Sequence, residues 1–133
     1  MITLKTLPQA TAQQVFDQVV NHLLKQNKRA VKEGTSSCQY RGAGKTKCAA
    51  GCLIANDEYD EAMENKGWLS MVSNEFAPEI HKDLIFELQK IHDNHDIKRW
   101  EEELKFFAFK NKLQFNYVKQ TGLISKILNI FKK

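Results

Sequence analysis

Apolar residues recur at helical spacing near the start of the chain. They form one stripe of an amphipathic helix, made of Val15, Phe16, Val19, Val20, Leu23 and Leu24. Thr11 stands before this stripe and is a favourable N-cap residue, and the polar segment 25–34 ends the pattern. The pattern therefore predicts a first helix that begins after Thr11 and packs against a core.

Two further helical patterns follow in the second half of the chain. A second helix is predicted with Pro78 in its first turn. Its buried stripe is predicted at Ile80, Leu84, Ile85, Leu88 and Ile91. After the polar break 92–96, a third helix has inward positions at Ile97, Trp100, Leu104 and Phe107, with Phe106 as a further candidate. Because the break is short, we expect these two helices to be antiparallel neighbours.

Residues 37–52 lack the spacing of apolar residues that is typical of a helix, and they contain several turn-forming residues. They predict a small hairpin or an irregular turn element, with a short helix as the alternative at its end. The predicted fold class is mainly α, with α+β as the alternative, and has three or four packed helices beside this element. The predicted core contains Val15, Phe16, Val19, Leu23, Leu53, Ile54, Leu84, Leu88, Ile91, Trp100, Leu104 and Phe107.

The chain is expected to be a single globular domain over residues 1–118, followed by a basic amphipathic helix over 119–133. We expect that helix to pack on the domain. For residues 121–133, contact with an anionic membrane surface or with a partner protein are the alternatives. The N-terminal residues lack the pattern of a secretory signal, and three cysteines are typical of reduced thiols, so a cytoplasmic location is predicted.

The net charge of +4 is unevenly distributed. Residues 1–118 contain equal numbers of basic and acidic side chains, and the last 15 residues contribute four lysines and no acid. Within the body, the segment 25–47 has seven basic residues against one acid, and the segment 57–64 has five acids. These two segments either neutralise each other, or the basic one forms a nucleic-acid footprint that includes Tyr40 and Arg41.

Three short motifs in fixed order carry a resemblance to other proteins. They are "CQYR" at 38–41, "CAAGCLI" at 48–54 and "LQKIHD" at 88–93. Together with the acidic segment between them, they resemble a group of small, largely uncharacterised phage and bacterial proteins. The resemblance covers about residues 12–113 and implies a shared scaffold and a phage or prophage origin, but no reaction. In that group, alanine is frequent at the position of Cys52, and "GAGKT" falls at a variable turn.

"GAGKTK" at 42–47 is similar to the end of a phosphate-binding P-loop. However, Gln39 stands where that motif needs its first glycine, and no apolar strand precedes it. A solvated turn is therefore the favoured interpretation, and the nucleotide-binding one is rejected.

Two other chemistries use the cysteines. A zinc site would combine Cys38, Cys48 and Cys52 with a histidine, although only Cys48 and Cys52 have paired spacing. A thiol-dependent enzyme would use Cys48 or Cys38 with His92 as the base and Asp93 as its partner. Because adjacent helix positions point about 100° apart, His92 and Asp93 are equally well explained as a polar helix cap.

The favoured function is a non-enzymatic binding or regulatory protein of phage or prophage type that acts on a host protein. A small thiol-dependent enzyme or zinc protein and a nucleic-acid-binding protein are the alternatives. No cofactor, metal ligand or catalytic residue is assigned. The candidate binding residues are Tyr40, Arg41, Asp57, Tyr59, Glu64 and His92. The alternative is structural: Arg41 bridges the acidic segment, His92 and Asp93 cap a helix, and the tyrosines are half-buried core.

Overall fold

The computed structural model describes residues 1–117, which contain four α-helices and a small antiparallel hairpin. The helices are α1 (Ala12–Gln26), α2 (Trp68–Ser73), α3 (Lys82–Asn94) and α4 (Trp100–Lys110). The hairpin pairs β1 (Arg41–Gly42) with β2 (Thr46–Lys47). Single 3₁₀ turns occur at Leu7–Gln9, Ala43–Lys45, Gly51–Leu53, Glu61–Met63 and Ile97–Arg99. The predicted mainly α fold with a hairpin near residues 37–52 is confirmed.

α1 begins where its sequence signals place it. The hydroxyl of Thr11 accepts a hydrogen bond from the backbone N–H of Gln14 at 3.1 Å. The side chain of Gln14 in turn accepts one from the backbone N–H of Thr11 at 2.9 Å, which completes a capping box. The helix ends at Asn27, whose φ of 51° is left-handed.

α3 begins later than its predicted start at Pro78. His81 has a left-handed φ of 61° and stands directly before the first helical residue, Lys82. Ile80 therefore lies outside the helix and is 43% exposed, so its predicted place in the buried stripe was wrong. The buried side chains of α3 are Ile85, Leu88, Ile91 and His92.

α4 packs against both α3 and α1. Trp100, Leu104 and Phe107 are buried as predicted, whereas Phe106 is 56% exposed and was wrong as a core candidate. The rings of Phe107 and Phe16 stack with their centroids 5.9 Å apart, which joins α4 to α1. With the exception of Leu84, which is half-buried, every predicted core residue is buried.

The "GAGKTK" segment forms the hairpin and its turn. Arg41 pairs with Lys47 and Gly42 with Thr46, and the exposed tip contains Gly44 with a φ of 69°. The strand β2 follows this turn directly, and no α-helix begins there. A P-loop needs its glycines at a strand-to-helix junction, so this turn lacks the geometry of a P-loop.

A preceding stretch of backbone lies beside the hairpin. The N–H of Ala43 donates to the carbonyl of Val31 at 2.8 Å, and the N–H of Gln39 donates to that of Ala30 at 2.9 Å. A Cβ atom on Gly42 would lie 2.6 Å from the backbone of Ala30, so only glycine allows this close approach.

The predicted C-terminal helix over 119–133 lies outside the described residues, so its packing, membrane and partner alternatives stay predictions. Over residues 1–117, none of the helices combines the length and apolarity that crossing a bilayer requires.

Candidate functional site

Four of the six candidate residues meet at the carboxylate of Glu64. Its Oε1 accepts a hydrogen bond from the backbone N–H of Tyr40 at 2.9 Å. Its Oε2 accepts from the backbone N–H of Arg41 at 3.1 Å and from the hydroxyl of Tyr59 at 2.7 Å. Glu64 therefore ties the acidic segment to the start of the hairpin, and its oxygens are engaged within the fold.

The guanidinium of Arg41 also faces inward. It donates to the carbonyl oxygens of Gly51 at 2.9 Å and Ile54 at 2.7 Å. Its central carbon lies 4.9 Å from the centre of the Tyr59 ring. Burial lowers the pKa of Arg41. Arg41 therefore does contact the acidic segment, through the Tyr59 ring and through its own backbone N–H to Glu64, but its guanidinium pairs with no carboxylate among residues 1–117.

Tyr40 and Asp57 have opposite environments. Tyr40 is 6% exposed, and its hydroxyl donates to the carbonyl of Lys66 at 2.6 Å. Asp57 is exposed, and its side chain has no hydrogen-bond partner within the described range. The structure therefore groups Tyr40, Arg41, Tyr59 and Glu64, and it leaves Asp57 outside this group.

His92 is fully buried and lies in a separate network on α3. Its Nε2 is 3.1 Å from the backbone nitrogen of Ala30, which can only donate, so Nε2 accepts. The ring proton of the neutral imidazole must then sit on Nδ1, which is 2.7 Å from Oδ1 of Asp93. The ring also stacks on Trp100 at 5.4 Å. Both nitrogens of His92 thus have partners, and the predicted helix-cap role was wrong.

Asp93 accepts hydrogen bonds from two other side chains of α3. Its Oδ1 accepts from Nδ1 of His92 and from Nε2 of Gln89, each at 2.7 Å. The sulfur of Cys38 lies within 4.8 Å of the nearest carboxylate oxygen of Asp93. Gln89 in addition accepts from the backbone N–H of Ala50 at 2.9 Å. The last turns of α3 therefore hold the irregular segment in place through polar side chains.

The ligand atoms of Cys38, His92 and Asp93 lie within 4.8 Å of one another, which is a spacing that could suit a metal ion. The hydrogen bonds do not suit one. Zinc bound to both Nδ1 and Oδ1 would hold these atoms roughly 3.3 Å apart, whereas they are 2.7 Å apart. Ligation through Nδ1 would also move the ring proton to Nε2, opposite the N–H of Ala30. The cluster therefore fits a hydrogen-bonded network better than a zinc centre.

The thiols are poorly suited to nucleophilic attack. Burial and the neighbouring Asp93 raise the pKa of Cys38 to about 11. Burial raises the pKa of Cys52 to about 12 and raises that of Cys48 as well. The thiolate is the reactive form, and both ring nitrogens of His92 already have hydrogen-bond partners, so His92 is poorly placed to activate these thiols. The structure does bring Cys38, His92 and Asp93 close together, as the thiol-enzyme hypothesis expected, but the hydrogen bonds of His92 do not favour catalysis.

The two networks meet at a polar cleft of about 190 Å³. Glu64 and Asp93 both line it, together with Cys38, Tyr40 and Gln89. We call this the acidic cleft. The carboxylates that face it already accept hydrogen bonds from the protein, so its polar groups mainly stabilise the fold.

Sequence reasoning missed Gln89 and Glu58. Glu58 accepts backbone N–H bonds from Leu4 at 3.0 Å, Lys5 at 2.9 Å and Ala55 at 2.9 Å. Gln89 belongs to the "LQKIHD" motif, so its position inside that motif was the available signal. Glu58 had no such signal, because its partners at residues 4 and 5 are more than 50 positions away.

The predicted neutralisation between the basic and acidic segments takes an unexpected form. In the described part of the chain, no side-chain ion pair joins segment 25–47 to segment 57–64. Glu64 binds backbone N–H groups of the hairpin instead. The two segments therefore lie against each other, as one of the two interpretations expected, and main-chain hydrogen bonds to Glu64 join them.

Comparisons of this chain with protein-family models, with curated protein sequences and with solved structures find no match.

Proposed function

We propose that this protein is a non-enzymatic binding protein of phage or prophage type that acts on another protein of the host cell. The state of its reactive side chains supports this proposal. The thiols have raised pKa values and the His92 imidazole has two hydrogen-bond partners, so these groups are better suited to holding a scaffold than to catalysis.

The observation that carries the proposal is a pair of exposed aromatic side chains on α4. Phe106 is 56% exposed and Phe109 is 80% exposed, and they lie nearly one helical turn apart. We call this pair the aromatic face. Exposed single apolar residues are common, but two phenylalanines side by side expose a large apolar area that a partner can remove from water.

A groove beside the aromatic face gives it shape. Phe106 lines this groove between α4 and α3, which has a volume of about 280 Å³ and also includes Ile91 and His95. Nζ of Lys110 lies 5.1 Å from the Phe106 ring and places a positive charge at the rim. An aromatic anchor beside a concave surface with a charged rim is typical of protein recognition. Glu87, Glu103 and Lys90 also line the groove, so its charges are mixed. The partner that fits best therefore covers the aromatic face with apolar side chains and inserts one of them beside Ile91.

The test is affinity capture from extracts of the source organism with the full chain. Wild type is compared with the double variant Phe106→Ala/Phe109→Ala and with the matched control Leu69→Ala/Ile80→Ala. The control pair removes two other exposed apolar side chains, which are 41% and 43% exposed. We expect one captured protein whose recovery falls about tenfold or more with the double variant, and remains unchanged with the control. Isothermal titration with that purified protein then gives the change in Kd.

Three results would contradict the proposal. The first is that no captured protein depends on the aromatic face. The second is that wild type is a dimer in sedimentation and the double variant a monomer, which would assign the face to a second copy of this chain. The third is that the double variant lowers the free energy of unfolding by more than about 2 kcal/mol. Truncating exposed side chains costs little, so a loss of that size would mean that the chain itself covers these two phenylalanines.

A further inference from the structure

A further concave surface lies against α1 and the hairpin strand β2. It has a volume of about 560 Å³, within the usual range for small-molecule sites. One wall is the polar face of α1, with His22 and Lys25, and the other is formed by Lys47, Cys52, Ile54, Ala55 and Asn56, with the N-terminal residues Met1, Ile2 and Thr3 beside them. We call this surface the basic cleft. It shares no lining residue with the aromatic face or the acidic cleft.

Hydrogen bonds hold the two walls together. Nε2 of His22 lies 2.7 Å from the carbonyl oxygen of Lys47 and donates to it. Gln18 donates to the carbonyl oxygens of Cys52 at 3.1 Å and Ile2 at 2.8 Å. Side chains on one wall are thus bound to the backbone of the other, so the cleft is formed before any ligand arrives, which lowers the entropic cost of binding.

The charges that line the basic cleft have one sign. Its charged side chains are Lys25 and Lys47, and its lining contains no Asp or Glu. Burial lowers the pKa of His22, so that ring adds a hydrogen-bonding group and not a charge. Within residues 1–117, neither lysine belongs to an ion pair. Burial lowers the pKa of Lys47, and the nearby positive charge of Arg41 lowers it further. Positive charges gathered in a concavity without a counter-charge attract an anion, since the low-dielectric walls focus their field.

Apart from Met1, which carries the N-terminal amino group, the remaining lining is apolar or neutral. Ile54, Ala55 and Cys52 supply apolar surface, and Asn21 and Asn56 supply amide groups. A bare inorganic ion would leave the apolar part unused. A ligand with an apolar body and one anionic group would use both parts of the cleft.

We propose that the basic cleft binds a small organic anion whose phosphate or carboxylate group lies between Lys25 and Lys47 and whose apolar body contacts Ile54. This site is independent of the partner-binding function proposed above.

The test uses the full chain and ¹H–¹⁵N correlation spectra. The probes are phenyl phosphate and benzoate. Benzyl alcohol is the control without a charge, and inorganic phosphate is the control without an apolar group. We expect phenyl phosphate to cause saturable shifts of the amides of Asn21, Lys47 and Ala55. We expect Lys25→Gln and Lys47→Gln each to weaken its binding about fivefold or more, since each removes a charged hydrogen-bond donor. The matched control is Lys28→Gln, an exposed lysine just past α1 that does not line the cleft, and it should leave the Kd unchanged.

Each remaining outcome would overturn the proposal. Absence of saturable shifts with both anions up to about 10 mM would exclude specific binding in the mM range, where small ligands of this kind are expected. Equal binding by benzyl alcohol would show an apolar site that ignores charge. Equal weakening by Lys28→Gln would show diffuse attraction to a basic surface. Binding of a single-stranded oligonucleotide without binding of phenyl phosphate would assign the lysines to nucleic acid instead. Spectra of the free variants show whether each one keeps the native fold.

Discussion

Replacing Glu64 by glutamine tests the hydrogen-bond network at the start of the hairpin. The substitution keeps the shape of the side chain but turns one acceptor oxygen into an NH₂ donor. If the NH₂ group takes the place of Oε1, it faces the N–H of Tyr40, and if it takes the place of Oε2, it faces the N–H of Arg41. Tyr59 can rotate its hydroxyl to accept, but a backbone N–H cannot. Either orientation therefore leaves one N–H without an acceptor.

The expected loss of stability is that of leaving one backbone N–H without an acceptor. An unsatisfied, partly buried N–H costs about 1–3 kcal/mol, and the surviving hydrogen bonds also lose the contribution of the negative charge. We therefore expect Glu64→Gln to lower the free energy of unfolding by about 2–3 kcal/mol. The matched control is Glu61→Gln, because Glu61 is exposed and its carboxylate has no hydrogen-bond partner within residues 1–117.

The assay is urea unfolding at pH 7 followed by far-UV circular dichroism. The control should stay within about 0.5 kcal/mol of wild type. A Glu64→Gln value that also stays within that range would refute the reasoning, since it would mean that Glu64 does not accept both backbone bonds. An unchanged m-value is required for the comparison, because a changed one would indicate an altered denatured state.

Three further predictions concern other parts of the fold. Burial opposes the ionisation of Glu58, but hydrogen bonds from backbone N–H groups outweigh burial and hold the pKa of Glu58 below the usual 4.5. The ionised carboxylate therefore stabilises the fold above pH 4.5, and this stabilisation is lost as the pH falls through the folded pKa. The stability difference between wild type and Glu58→Gln should therefore shrink when urea melts are moved from pH 7 to pH 3. Gly42→Ala would place a Cβ 2.5 Å from the backbone nitrogen of Val31, so we expect thermal melts to show a loss of about 3 kcal/mol or more in the free energy of unfolding. The control is Gly67→Ala, whose Cβ meets open space and which should cost under about 1 kcal/mol in the same melts. Burial raises the pKa of Cys38 from 9.0 to about 11, so iodoacetamide at pH 7.5 should label this thiol about a hundredfold more slowly in the folded protein than in protein unfolded in 6 M urea. Mass spectrometry measures the two labelling rates, and equal rates would contradict the raised pKa.

The parts of the fold that depend on local chemistry could be predicted from the sequence. α1 follows from its apolar stripe and from the Thr11 and Gln14 capping pair, all within a few residues of one another. The start of α3 was misplaced because Pro78 is a favourable first-turn residue, while the left-handed residue His81 has no comparable sequence signal. Phe106 was misplaced because neighbouring phenylalanines at 106 and 107 compete for one buried position, and only the packing of α4 decides between them.

The candidate site was predicted only in part. The resemblance selected Tyr40, Arg41, Tyr59 and Glu64, which the structure does bring together. Their hydrogen bonds could not be predicted, because Glu64 is 24 residues from its partner Tyr40 and nothing local fixes that distance. The basic cleft could not be predicted either, since α1 and β2 meet only in the folded chain. Whether these residues bind a partner stays a prediction.

The bond from the Ala30 N–H to His92 has a consequence for the order of folding. It spans 62 residues, and Arg29 reaches equally far to the carbonyl oxygens of His92 and His95. During synthesis, the segment around residue 30 leaves the ribosome well before α3 exists, so the N–H of Ala30 and the guanidinium of Arg29 must remain bonded to water until then. Contacts of such long range slow folding, because the loop must close before they form. α1 and the hairpin can form early, but the segment between them can reach its final structure only after residue 95 has been made.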